Sequence, residues 1–300
     1  MPIIFKGAGK LFFADTYATI KHQHGFSIRN SIKIIALDTI SLVENLKDDN
    51  AFLKKRIQFL YIHHVFKDEE IKLKQLIEFL SKNHIFISHS EAVNRILDNK
   101  IDKPYICISS DDGFKNNLRA AEIFESFGIK ACFFICPAII NETDYNKIKN
   151  FCAQRLHFPP VEFLNWKDVD HLLKKGHEIG SHTMTHINCA DSLPNVVEEE
   201  LNSSYRIIRE RCGVVKHFAY PYGRFFHFNE AARNMMFKAG YQSCAAAERG
   251  CHVKQATLPV KENLLIRRDN VVLDWKLSHI KIFLKRNATK ASLQQNGFPY

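Results

Sequence analysis

The fold class this sequence predicts is α/β, with a parallel sheet closed or nearly closed into a barrel. Three observations predict it. Short apolar runs suited to buried parallel strands alternate with helical stripes, no linker or low-complexity tract interrupts the alternation, and each chemically distinctive residue falls just after one of the runs.

Ile57 to Ile62 is a β-branched and aromatic run that predicts the first strand, ending at His63-His64. Glu69 to Ser81 predicts a helix through the stripe Ile71, Leu73, Leu76, Ile77 and Leu80. Tyr105 to Ile108 predicts a strand, Leu118 to Phe127 a helix, and Lys130 to Ile135 a further strand. Trp166 to Lys175 reads as a helix, His177 to Gly180 as a short strand, and Val196 to Cys212 as a long amphipathic helix. His217 to Ala219 is a strand, Glu230 to Ala239 a helix ended by Gly240, and Gln242 to Ala245 another strand. In a parallel βα barrel the residues that follow the strands gather at the C-terminal rim, where active sites are built.

The chain of 300 residues, 46% hydrophobic, suffices for one large α/β domain with added terminal segments. The expected division is an N-terminal extension over 1–50 packed on the barrel, a catalytic domain over 51–280, and a basic C-terminal tail over 281–300. Apolar spacing around Ile32 to Leu46 is compatible with a helix in the extension. Eight cysteines occur without a Cys-x-x-Cys pair, several inside apolar runs, as expected of reduced core thiols in a cytosolic compartment. The first thirty residues contain no signal-peptide core or membrane span, so a soluble, cytoplasmic protein is expected. The formal charge of +10 favours anionic neighbours without naming one, and none of the nucleic-acid-binding signatures occurs.

Two segments carry metal chemistry. Ser110-Asp111-Asp112-Gly113 offers adjacent carboxylates, and Ser181-His182-Thr183-Met184-Thr185-His186 offers two imidazoles at i, i+4. Alone, Asp-Asp-Gly is a turn or helix-cap signal, and one histidine pair among fifteen histidines is modest. Together, two imidazoles and one carboxylate would satisfy a zinc-like divalent ion and leave a position open for water, with the second aspartate available as a base. His177-Glu178 followed by His182 imitates a zinc-protease helix, but its histidines are five apart rather than four, and that reading fails.

These residues resemble the metal-dependent polysaccharide deacetylases of carbohydrate esterase family 4, the nodulation-type deacetylase homology domain. Ser109-Ser110-Asp111-Asp112-Gly113 is similar to the family's Thr-Phe-Asp-Asp-Gly, and His182 to His186 to its His-Ser/Thr-x-x-His. Ala219-Tyr220-Pro221-Tyr222-Gly223 is similar to its Arg-Pro-Pro-Tyr-Gly loop. The resemblance runs from about residue 57 to 275. It implies a distorted (β/α) barrel, incomplete and TIM-like, that hydrolyses an N-acetyl group from an amino sugar. It also implies that Asp112, His182 and His186 hold a divalent metal, zinc or another, and that Asp111 takes a proton from the water the metal activates. The backbone N–H of Tyr222 then stabilises the tetrahedral oxyanion.

The family's last motif has only a weak match in Leu277-Ser278-His279, whereas Phe59-Leu60-Tyr61-Ile62-His63 looks like that motif moved to the first strand, as in the biofilm-polysaccharide deacetylases. His63 is therefore the expected general acid and His64 its competitor, since neighbours in an extended segment point to opposite sides. Ala219 stands where the family has arginine, and Ser110 where it has phenylalanine. Arg268 would supply the missing guanidinium to Asp111, with a surface ion pair as the competing reading. Tyr220 and Arg268 are the expected substrate-side residues. Asp274-Trp275 is similar to another family motif, with a packed aromatic edge as the plainer reading. The expected substrate is an N-acetylated glycan, as polymer, oligosaccharide or lipid-linked precursor, the last allowing peripheral contact with a membrane. The alternatives are a catalytically silent, metal-retaining glycan binder and a deformylase or other C–N hydrolase on the same barrel.

Overall fold

The computed structural model describes residues 13–23, 37–41, 50–291 and 297–300. Ten strands form one sheet: β1 (Arg56–Ile62), β2 (Ile85–Phe86), β3 (Pro104–Ser110), β4 (Cys132–Ile135), β5 (Glu178–Ser181), β6 (His217–Ala219), β7 (Ser243–Ala245), β8 (Cys251–His252), β9 (Leu265–Ile266) and β10 (Arg268–Asn270). Their order is β10-β1-β3-β4-β5-β6-β7-β9, with every neighbour in that path parallel. β2 flanks β3 in parallel, and β8 lies antiparallel against β1. The two ends of the path, β9 and β10, are separated in sequence by Arg267 alone. One short segment thus pairs with β7 through its first half and with β1 through its second, which closes the distorted barrel.

The period of two along each strand divides the core. Ile57, Phe59, Cys107, Phe134, Ala219 and Ile266 pack together inside the barrel. Leu60, Ile62, Ile108, Phe133, Ile135 and Phe218 belong to the larger cluster shared with the surrounding helices. Gly180 on β5 makes room for this interior, because a Cβ there would stand 2.4 Å from the Phe134 ring. Polar side chains occupy the end opposite the rim. His217 makes hydrogen bonds of 2.8 Å to the hydroxyls of both Ser90 and Ser243, and Arg56 donates to the carbonyls of Phe52 and Lys54, tying β1 to the preceding helix.

The strand and helix expectations from 57 to 245 agree with the structure to within about three residues at each boundary. Several features differ. The helix His89–Leu97 and the closing strands β9 and β10 were not expected, and a π-helical turn, Cys152–Leu156, follows the helix Tyr145–Phe151. The expected basic tail from 281 lies largely in the helix Leu277–Lys290, whose Ile280, Leu284 and Ala288 are buried, because its basic residues cover only the outer face. In the expected N-terminal extension, the helix Tyr17–Gln23 packs through Ile20 against Phe66 and Phe114, and its first N–H groups donate to Asp68. Of the helix expected around 32–46, residues 37–41 are helical and the rest lie outside the described residues. No described helix is long and apolar enough to cross a membrane. All eight cysteines are free, and seven of them are buried.

Burial holds His217 down at about 3, so it is neutral in the fold and gains a proton on unfolding in acid. The unfolded chain then binds more protons between about pH 6.5 and 3, and stability is lost as pH falls through that window. Urea denaturation of the parent and His217→Asn across this range should show the parent losing stability relative to the variant as pH falls. A difference that does not change with pH would contradict this assignment.

Candidate active site

The C-terminal ends of the strands surround a cavity of about 260 Å3 lined by Tyr61, His63, Asp111, Asp112, His182, His186, Tyr222 and Arg268 among others. Each chemical side chain arrives by continuation of a strand. The Asp111 N–H donates to the Ile62 carbonyl at 3.0 Å, extending the pairing of β3 with β1, and the His182 N–H donates to the Ile135 carbonyl at 2.9 Å, extending β5 on β4. Segments distant in sequence converge here because parallel strands all end on the same side.

His182 Nε2 and His186 Nε2 each lie 3.5 Å from Asp112 Oδ1. One ligand atom from each of the three residues falls within 4.8 Å of the others, the only such group of metal-ligand type among the described residues. His182 Nδ1 is 2.7 Å from the Ala219 carbonyl. A carbonyl only accepts, so Nδ1 carries the proton and Nε2 presents its lone pair to Asp112 and His186. Burial lowers the pKa of both imidazoles, leaving them in the neutral form that ligates a cation. Asp112 is held well above the usual carboxylate range by burial and by the charge of Asp111, and its Oδ1 is buried with no hydrogen-bond partner. An orphaned carboxylate oxygen between two neutral imidazoles is the donor set that a divalent cation fits, and these three residues could hold one.

Asp111 has a different partner. Arg268 Nη1 and Nη2 donate to its Oδ1 and Oδ2 at 2.7 and 2.8 Å, a bidentate pair in which the side chains are 1% and 4% exposed. The same guanidinium donates to the Ser109 hydroxyl and the Ala246 carbonyl and lies over the rings of Tyr61 and Phe134. Burial alone would raise the Asp111 pKa, but Arg268, with help from His182 and His63, outweighs it and holds the group below its ordinary value. The surface ion pair weighed for Arg268 is thus replaced by a buried one, and the guanidinium absent at position 219 comes from the closing strand.

The interior parity of Ile57, Phe59 and Tyr61 continues to His63, whose ring lies 5.3 Å from that of Tyr61. Burial holds His63 down at about 4, and Asp111 is the neighbour whose charge favours its protonation. His64 faces the other way, stacked between Tyr17 and Phe158 with Nδ1 3.1 Å from Glu69 Oε2, though it too reaches the cavity edge. Tyr222 packs against His186, and its hydroxyl donates to the Arg155 carbonyl in the π-helical turn, spanning one side of the mouth. Gly223 beside it has φ of +66°, and a Cβ there would stand 2.3 Å from that of Ala247.

Tyr220, expected on the substrate side, is packed mainly away from the opening. It borders the cavity, but its ring is 1% exposed and stacked on Phe228, because the residue after inward-facing Ala219 must face outward. His279 bonds to Asp38, outside the cavity, and Trp275 packs on Phe283, so neither supplies the motifs they resemble. Sequence reasoning missed Leu156, His157 and Phe158, which line the mouth. No motif marks them, and the π-helical turn that delivers them has no local signature.

Seven non-glycine residues among those described have positive φ, and five of them, Asp112, His157, Thr183, His186 and Tyr222, lie in or next to this site. Each such conformation costs roughly 1–3 kcal/mol and persists only where the surroundings over-determine it.

Residues 98–244 match the family model described as Polysaccharide deacetylase. Over that stretch, just under half of the chain, the sequence is similar to polysaccharide deacetylases. The matched stretch includes Asp111, Asp112, His182, His186 and Tyr222, while His63 and Arg268 lie outside it. The barrel is similar to solved structures that include IcaB from Ammonifex degensii, with 15% identity, a TM-score of 0.61, and coverage of 77% of this chain and 98% of that one. It is similar also to the Streptococcus pyogenes deacetylase PplD, with 16% identity, a TM-score of 0.58, and coverage of 75% and 96%. A de-N-acetylase from Aggregatibacter actinomycetemcomitans gives 17% identity, a TM-score of 0.59, and coverage of 76% and 99%. At this identity the likeness establishes the fold. No curated protein matches the chain.

Removing one partner of the Arg268–Asp111 pair strands a buried charge, which typically costs about 3–5 kcal/mol. Arg268→Met should destabilise the protein by that order in urea denaturation, and Asp111→Asn in the same chain should recover most of it. Equal losses in the single and double variants would show that the pair is not coupled.

Proposed function

We propose that this chain is a metal-dependent hydrolase that removes N-acetyl groups from an amino sugar of a polysaccharide, an oligosaccharide or a lipid-linked glycan precursor. The observation that carries the reading is the division of two adjacent aspartates: Asp112 stands orphaned between two neutral imidazoles while Asp111 is held by Arg268. The assigned ligands are Asp112, His182 and His186, and zinc suits their nitrogen and oxygen donors. When bound there, such an ion would act as a Lewis acid and make water a competent nucleophile near neutral pH.

The remaining roles belong to the chain itself. Asp111, kept ionised by Arg268, accepts the proton of the attacking water. His63 gives a proton to the departing amine. It is neutral in the free site, so that proton must reach it during turnover, and Asp111, whose charge favours protonating His63, is the group that collects one. The backbone N–H of Tyr222 donates to the developing oxyanion, a role typically worth about 2.7 to 4 kcal/mol. The Arg155–Tyr222 bridge and the buried walls limit water at the reacting centre.

The silent-relative reading drew on the arginine missing at Ala219. Arg268 reaches Asp111 from another strand, so that motive for the alternative falls away.

Acetate release from N-acetylated oligosaccharides and metal content test the assignment together. Asp111→Asn should keep its metal and lose about 100- to 10,000-fold in kcat, the usual contribution of a general base. Asp112→Asn should lose the metal. Unchanged turnover in Asp111→Asn would refute the proposed base, and a metal-free but otherwise folded Asp111→Asn would make that residue a ligand instead.

A further inference from the structure

We infer that Glu200 is a positioning residue for the ligand loop, acting through the backbone of residues 183–186 rather than by touching an ion. The inference rests on the proposed reading of Asp112, His182 and His186 as ligands. Glu200 stands in the second turn of the helix Pro194–Cys212 and reaches across to the loop that follows β5. Its Oε2 accepts the N–H groups of Met184 and Thr185, both at 2.8 Å, and its Oε1 accepts the Thr185 hydroxyl at 2.6 Å.

The loop needs such a partner. Thr183 and His186 both lie in the left-handed region, with φ of 61° and 58°, and for a β-branched threonine this is an unfavourable conformation. Consecutive N–H groups turned toward one point make a concavity that suits an anion, and here the anion is a side chain of the same protein. The other ties on this loop are neutral: Ile187 N–H to the Thr183 hydroxyl at 3.2 Å, and Ala138 N–H to the Met184 carbonyl at 3.1 Å. Bonds to an ionised carboxylate are roughly twice as strong as neutral ones.

The consequence falls unequally on the two imidazoles. His182 is oriented independently by the Ala219 carbonyl. His186 has no such bond of good geometry: its Nδ1 is buried, with only its own carbonyl and that of Arg155 acting on the ring, so the ring takes its position mainly from the backbone that carries it and from packing on Tyr222. Glu200 fixes that backbone, and through it the placement of His186 Nε2 beside Asp112.

The test is zinc affinity of the full chain, measured by competition with a chromophoric chelator, for the parent, Glu200→Ala, Glu200→Gln and Ser204→Ala. Glu200→Ala should weaken zinc binding by about 10- to 100-fold, the usual effect of losing a group that orients a ligand. Glu200→Gln should fall between the parent and the alanine variant, because its amide oxygen can accept both N–H groups and the Thr185 hydroxyl can turn to accept from its NH2, though through weaker, neutral bonds. Ser204→Ala removes bonds to Ser181 and Tyr241 from the same helix and should lower thermal stability without changing zinc affinity. Parental affinity in Glu200→Ala would overturn the inference. A Glu200→Gln variant as weak as the alanine would also overturn it by assigning the effect to charge, and an equally weak Ser204→Ala would reduce it to helix packing. A parent that binds no zinc, or an Asp112→Ala variant that binds it equally well, would refute the ligand reading itself and the inference with it.

Discussion

Two carboxylates on adjacent residues, both buried, repel each other unless their surroundings treat them differently. The buried pair between Arg268 and Asp111 is the constraint that separates them. Its two parallel hydrogen bonds offset the cost of burying both charges, and further donations to Ser109 and Ala246 use the rest of the guanidinium. With Asp111 held, Asp112 is the carboxylate left facing the imidazoles, and its unfavourable burial is what a cation would relieve. The pair is also architectural. Arg268 belongs to the short segment that joins the two ends of the sheet, so the contact that orients Asp111 lies beside the seam that closes the barrel.

The rest of the site follows from a barrel whose parallel strands end on one side. Interior parity brings Tyr61, His63 and Ser109 toward the same axis, and the loops beyond the strands supply what regular pairing cannot. Those loops hold left-handed backbone at Asp112, Thr183, His186 and Tyr222, which the surrounding hydrogen bonds must sustain. Glu200 and the Ala219 carbonyl come from different elements yet serve the same loop, so the placement of His182 and His186 depends on the packing of helix against sheet as well as on the loop itself.

Much of this was legible in the sequence, for identifiable reasons. The strands before His63 and Asp111 are largely apolar runs, and parity alone separated His63 from His64. Arg268 was legible only as a candidate, because β9 and β10 are two and three residues long and the charged residues of β10 give no strand signal. Parity also gives the outward stacking of Tyr220, which follows an inward-facing alanine. The helix Leu277–Lys290 hid behind its lysines although Ile280, Leu284 and Ala288 recur at helical spacing, and Ser88 with Glu91 was an unread cap for His89–Leu97. Leu156 to Phe158 reach the mouth through a π-helical turn, a tertiary outcome that no local pattern announces.

The most direct test of the central claim is an anomalous-difference map from zinc-soaked crystals of the full chain. The account predicts one peak about 2.0–2.2 Å from a carboxylate oxygen of Asp112 and from Nε2 of His182 and His186, with Asp111 still paired to Arg268. A peak ligated by Asp111, or an Asp111 that leaves Arg268 to share the ion with Asp112, would contradict it.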